Sequence, residues 1–108
     1  MVLHILTIEK IKTILDNYGV QTEYSHFSEP VTPPYITFLS SGTENMAADN
    51  VVYKVIENFK IELYSRVNVY DEESKLGSYL TLNELMWDKE EAIWIDEEKL
   101  YMTVFNIS

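Results

Sequence analysis

The sequence predicts an α+β domain, a mostly antiparallel sheet of four or five strands with two helices packed on one face. Three observations carry this expectation. Val51, Tyr53, Val55, Phe59, Ile61 and Leu63 fall on odd positions, while Lys54, Asn58, Lys60, Glu62 and Arg66 fall on even ones. Period 2 over this length, broken only by Glu57, means a long strand with one buried face. Two other segments follow a helical period instead. The order helix, strands, helix, hairpin separates helices from strands rather than alternating them, which points to α+β and a single domain over 1–108.

The first helix is expected over 7–18. Ile8, Ile11, Leu15 and Tyr18 share one face, Thr7 is placed to cap the N-terminus, and Gly19 sits just past the end. Residues 20–34 hold all three prolines and read as a loop with a short strand at Val20–Tyr24. Pro33-Pro34 cannot donate to a sheet ladder and so marks the entry to a strand at Tyr35–Ser40. Ser41-Gly42-Thr43-Glu44-Asn45 is turn chemistry, with Gly42 serving the turn. The polar stretch to Asn50 predicts a loop of about nine residues before the long strand 51–66, itself bent at Glu57-Asn58.

A second helix is expected from about Asp71 to Met86. Asp71, Glu72 and Glu73 in its first turn complement the helix dipole, and Leu76, Tyr79, Leu80 and Met86 form its apolar stripe. Gly77 weakens that helix. Ala92–Ile95 and Leu100–Phe105 form a closing hairpin that turns through Asp96-Glu97-Glu98-Lys99. These late strands do not alternate, so they place apolar groups on both faces of the sheet. Either the 20–34 loop folds across the second face, or another subunit covers part of it. Aromatic content of 13%, with eight tyrosines and two tryptophans, suits an interface as well as a core, and self-association is the expectation.

Composition excludes several classes of function. The chain has 18 acidic and 8 basic residues, a net charge of −10, and no cysteine, so disulfides, thiolate zinc sites and a Cys nucleophile are out. Few bases argue against neutralising nucleic-acid phosphates. No run of about 20 apolar residues spans a membrane, and the start of the chain lacks a signal-peptide pattern, so a cytoplasmic location is expected. His4 and His26 have no metal-ligand spacing, and Ser25-His26 is sequence adjacency, not a triad. The three glycines, Gly19, Gly42 and Gly77, form no phosphate cradle. No catalytic residue, metal site or cofactor is expected. The acid excess is uneven: residues 1–70 carry 8 acids and 5 bases, residues 71–108 carry 10 and 3.

Several stretches carry a family resemblance. Pro33-Pro34-Tyr35-Ile36-Thr37-Phe38 leads through a polar loop to Ala48-Asp49-Asn50-Val51-Val52-Tyr53. Ile61-Glu62-Leu63-Tyr64, an acidic-start helix, Trp87, and Ile95-Asp96-Glu97-Glu98-Lys99-Leu100-Tyr101 follow. This succession resembles the small neck proteins of long-tailed phages and prophages, the tail terminator or tail-to-head joining group often labelled minor capsid proteins. The resemblance implies a structural virion protein, assembled in the host cytoplasm. It would form a ring, commonly hexameric, that caps the tail tube and docks it to the head connector, with DNA passing through ungripped. Carried over by position, Met46, Asp49 and Asn50 in the loop become candidates for subunit or partner contact. Trp94, Asp96, Glu97 and Glu98 around the hairpin tip join them. An acidic DNA mimic or inhibitor, or another head-completion connector protein, is the alternative.

Overall fold

The computed structural model describes residues 6–48 and 51–107, excepting the side chains of 44–48 and 51–56. The elements are α1 (Ile8–Asp16), β1 (Gln21–Tyr24), β2 (Tyr35–Ala48), β3 (Val51–Ser65), α2 (Val69–Leu82), β4 (Trp87–Lys89), β5 (Ile93–Ile95) and β6 (Leu100–Ile107). The expected α+β class holds, with six strands rather than four or five. The sheet order is β1-β2-β3-β6-β4, and β5 also pairs with β6.

Thr7 caps α1, its hydroxyl accepting from the Lys10 amide at 3.2 Å. Both helices cover one face of the sheet. Ile11 and Leu15 from α1 and Leu76 and Leu80 from α2 close over Ile36, Phe38, Phe59, Ile61, Leu63, Phe105 and Ile107. The Tyr79 hydroxyl donates to the Ile14 carbonyl at 2.5 Å and ties the helices side by side. Burying a Leu, Ile or Phe side chain stabilises by roughly 1.5–3 kcal/mol, so this cluster dominates folding.

The sheet departs from expectation at four places. β1 pairs parallel with β2 (Gln21 opposite Tyr35, Tyr24 opposite Phe38), the one parallel pair among the described residues. Parallel neighbours need a return path, so residues 25–34 double back across the second face. Phe27 meets Tyr35 edge-on there at 5.4 Å. Of the two explanations for the second face, the loop accounts for this end of it.

The loop expected over 41–50 is strand. β2 continues to Ala48 and pairs with β3 as far as Ala48 opposite Val51; Asp49 and Asn50 lie outside the described residues. The polar composition of 41–48 reads as loop because it offers no apolar face, but main-chain pairing with β3 needs none. Gly42 therefore serves a bulge and not the turn. It has φ +131°, and the register slips between Ser40 and Gly42.

α2 stops at Leu82 instead of Met86. Glu84 turns left-handed (φ +61°), the Glu84 amide bonds the Thr81 carbonyl and the Leu85 amide bonds the Leu80 carbonyl, a Schellman closure. That frees Trp87–Lys89 to form β4 beside β6. Lastly, Glu73 lies beyond the first turn of α2 and is buried.

Candidate assembly surfaces

One strand holds two environments. Residues 59–65 of β3 sit between β2 and β6 under the helices. Among the described residues, 51–58 have only β2 beside them, because β6 pairs no further than Phe59 and β1 no further than Phe38. The result is a two-stranded arm of seven register pairs, from Gly42 opposite Asn58 to Ala48 opposite Val51. At about 3.4 Å per residue it extends roughly 24 Å. The overall extents of 51 × 26 × 25 Å match a body with such a projection.

The opposite end carries exposed aromatic and aliphatic groups. β5 lies at the sheet margin, with Ile93 opposite Met102 and Trp94 opposite Tyr101. Ile93 is 53% exposed and Trp94 45%. The Trp94 and Tyr101 rings meet at 4.9 Å. Because neighbouring strand residues point to opposite faces, Ile93 and Trp94 flank the margin from both sides. Natural sheet margins are usually protected by charge, proline or cover. β5 carries neither charge nor proline, and its three residues make it a very short edge strand.

The turn after β5 is held by local contacts. Lys99 adopts φ +57° and its amide bonds the Ile95 carbonyl at 2.8 Å. Asp96 accepts from Lys99 Nζ at 2.9 Å and from Trp94 Nε1 at 3.3 Å. Those two donors, Lys99 first, hold its carboxyl below the usual range. Glu97 and Glu98 are exposed. Tyr35 stacks on Tyr64 with centroids 4.6 Å apart. Burial first, then the Glu98 carboxylate, pushes the Tyr35 hydroxyl up to about 12.

The sequence-predicted contact residues therefore divide into two groups. Trp94, Asp96, Glu97 and Glu98 share one end of the sheet. Met46 lies in the arm opposite Lys54, and Asp49 and Asn50 lie outside the described residues. Tyr101 pairs with Ser65 on β3, so Trp94 and Met46 stand about 11 residues apart along the sheet, roughly 37 Å. Sequence reasoning missed Ile93 and Tyr101 as exposed groups.

It also missed a groove of about 730 Å³ between α2 and β4, bordered by Tyr70, Ser74, Gly77, Leu82 and Trp87. The signal was present as an internal glycine in a helix. A Cβ on Gly77 would lie 2.8 Å from the Trp87 ring, so the glycine seats that ring on α2. Trp87 donates to the Thr81 hydroxyl at 3.0 Å and tilts against Phe105 at 5.3 Å. Beside it, Glu73 accepts from the Thr103 hydroxyl at 2.5 Å and faces Lys89 at 3.7 Å. That buried carboxylate is paired and ties α2 to β6.

Among the described residues, no group of three or more His, Asp or Glu is arranged to hold a metal ion. His26 is exposed, with Nδ1 3.1 Å from the Ser25 hydroxyl. No helix among them is long and apolar enough to cross a membrane. In comparison with known proteins, no family model matches the chain and no curated protein matches it.

Proposed function

We propose that this chain is a structural neck protein of a phage or prophage. In this reading it forms a ring at the head-proximal end of the tail and joins tail to head. The observation that carries the reading is the polarity of the subunit. A free two-stranded arm leaves one end, and an open apolar strand margin lies at the other. A protein built to act alone has little use for either. The resemblance in Pro33–Phe38, Ala48–Tyr53, Ile61–Tyr64 and Ile95–Tyr101 supplies the virion context.

The partners are then further copies of the chain, a tail-tube protein and a head-connector protein. Assembly takes place in the host cytoplasm and the product resides in the virion. DNA passes through the ring without specific binding, as acidic walls repel phosphate. The role requires no catalysis and no cofactor. Electron microscopy of the purified protein mixed with tail tubes tests it. Rings or decorated tube ends are expected, and neither appearing would overturn the reading.

A second reading has its own observation. Asp88, Glu90, Glu91, Asp96, Glu97 and Glu98 fall within the segment that forms the β4–β5 side of the sheet. Such a row suits an acidic DNA mimic that occupies a basic site on an enzyme or repressor. Competition with DNA for such a protein would favour it over the ring.

A further inference from the structure

We infer that a cleft on the second face of the sheet takes a guanidinium group, the head group of arginine. The cleft holds about 390 Å³ between the 25–31 loop and Glu98 of the hairpin turn, with Tyr35, Thr37 and Tyr64 as its floor. That is the small end of the range for ligand sites, room for one side chain or a small molecule. Such a site stands whether or not the chain forms a ring.

Charge comes first. Glu29 stands on the loop side of the cleft and Glu98 on the turn side. Beside the floor a third carboxylate, half-buried Glu62, accepts from the buried Thr37 hydroxyl at 2.8 Å. Among the described residues none of these three is ion-paired, and no lysine or arginine lines the cleft. Arg66 acts on the Tyr35 hydroxyl, but there it opposes Glu98 only in part. Its Nε is engaged by the Lys99 carbonyl at 3.2 Å. The cleft keeps a surplus of negative charge, which selects cations.

Shape decides which cation. Among the described residues no three carboxylates or histidines converge as metal ligands, so the charge is spread along the cleft. Tyr35 stacks on Tyr64 at 4.6 Å and Phe27 meets Tyr35 edge-on at 5.4 Å, a corner of three rings. A cation within about 6 Å of a ring centroid is attracted to it. Burial first, then the Glu62 carboxylate, holds the Tyr64 hydroxyl above its usual range, so both floor tyrosines stay neutral and their oxygens can accept an N–H. A guanidinium is planar and weakly hydrated, and it forks onto a carboxylate while lying on an aromatic ring. The compact, strongly hydrated ammonium of lysine does neither as well.

Titration of the isotope-labelled full chain by NMR tests this at low ionic strength, with the capped tripeptide Gly-Arg-Gly as probe. Amides of 25–31, Tyr35, Tyr64 and Glu98 should shift together and saturate at millimolar peptide. The matching citrulline peptide, of the same shape without the charge, should leave them unmoved. The lysine peptide should bind at least about fivefold more weakly. Glu98→Gln, at an exposed position that the fold does not need, should raise the dissociation constant about fivefold. Methylguanidinium separates two sources of the same head group. Binding as tight as the peptide's assigns the cleft to a free small molecule, and weaker binding assigns it to an arginine presented by a partner protein. No saturable shift up to about 20 mM peptide, equal shifts from the citrulline peptide, or an unchanged constant in Glu98→Gln would overturn the inference.

Discussion

The two halves of β3 share one backbone and one alternating pattern, yet they live in different surroundings. Ile61 and Leu63 are fully buried between two strands and under two helices. Seven pairs further along, the same strand has a single neighbouring strand among the described residues. Period 2 reports that a strand is amphipathic, and it cannot report whether the molecule itself covers the apolar side.

The comparison breaks most readily at its strongest point. Ile61→Ala should cost about 2–5 kcal/mol in denaturant unfolding, the usual range for emptying a packed core site. Thr43→Ala, in the arm, should stay within about 0.5 kcal/mol. Equal losses would mean that the arm packs on the body. Hydrogen exchange sharpens the same contrast under conditions that keep the chain monomeric. Amides of the arm should exchange at least about 100-fold faster than those of Ile61 and Leu63, because local opening there leaves the core intact. Matching protection would contradict the free arm.

A third prediction concerns how tightly the body is built. Gly77→Ala gains helix propensity of roughly 1 kcal/mol but drives a methyl into the Trp87 ring, and overpacking costs about 1–3 kcal/mol. A net loss near 1 kcal/mol is expected. It should turn into a gain in a Trp87→Leu background, where the ring is gone. No sign change in that double-mutant cycle would remove Trp87 from the explanation.

Alkaline titration reaches both faces of the body, Tyr18 beside the helices and Tyr35 on the second face. Tyr18 and Tyr35 are both held up to about 12, chiefly by burial. A hydroxyl whose folded value is raised contributes stability that is complete below its unfolded value, about 10. That stability drains away as pH climbs from about 10 to about 12. Ultraviolet difference spectra should show these two tyrosines ionising well above the pH at which free tyrosine does, with unfolding midpoints falling over the same window. Ionisation of Tyr35 at the pH of free tyrosine would place the 25–34 loop off the sheet.

Much of the body was legible in the sequence because its signals are local. Thr7 caps the first helix, the odd positions of 59–63 line the core, and the Asp96–Lys99 turn closes the last hairpin. What escaped depended on distant partners. Polar residues 41–48 become strand only because β3 lies beside them. β1 runs parallel only because the proline-rich loop returns over the second face. Of the candidate contact residues, Trp94 through Glu98 do cluster, but nothing local in the sequence says that Met46 stands about 37 Å from them along the sheet.

The smallest expected effect tests the end of α2, where sequence periodicity ran four residues too far. Glu84 occupies a left-handed conformation at the position where a Schellman closure favours glycine. Its neighbours Thr81 and Leu80 already accept the closing amides, so the geometry does not depend on the Glu84 side chain. Glu84→Gly relieves the strain of φ +61° but adds backbone freedom to the unfolded chain, and the two oppose each other. Strain relief of about 1 kcal/mol slightly exceeds the entropy term, so a net gain of roughly 0.5 kcal/mol is expected in thermal or denaturant unfolding. The gain belongs to the body alone. Arm exchange rates in the same variant should not move, and a change there would mean that the end of α2 and the base of the arm open as one unit.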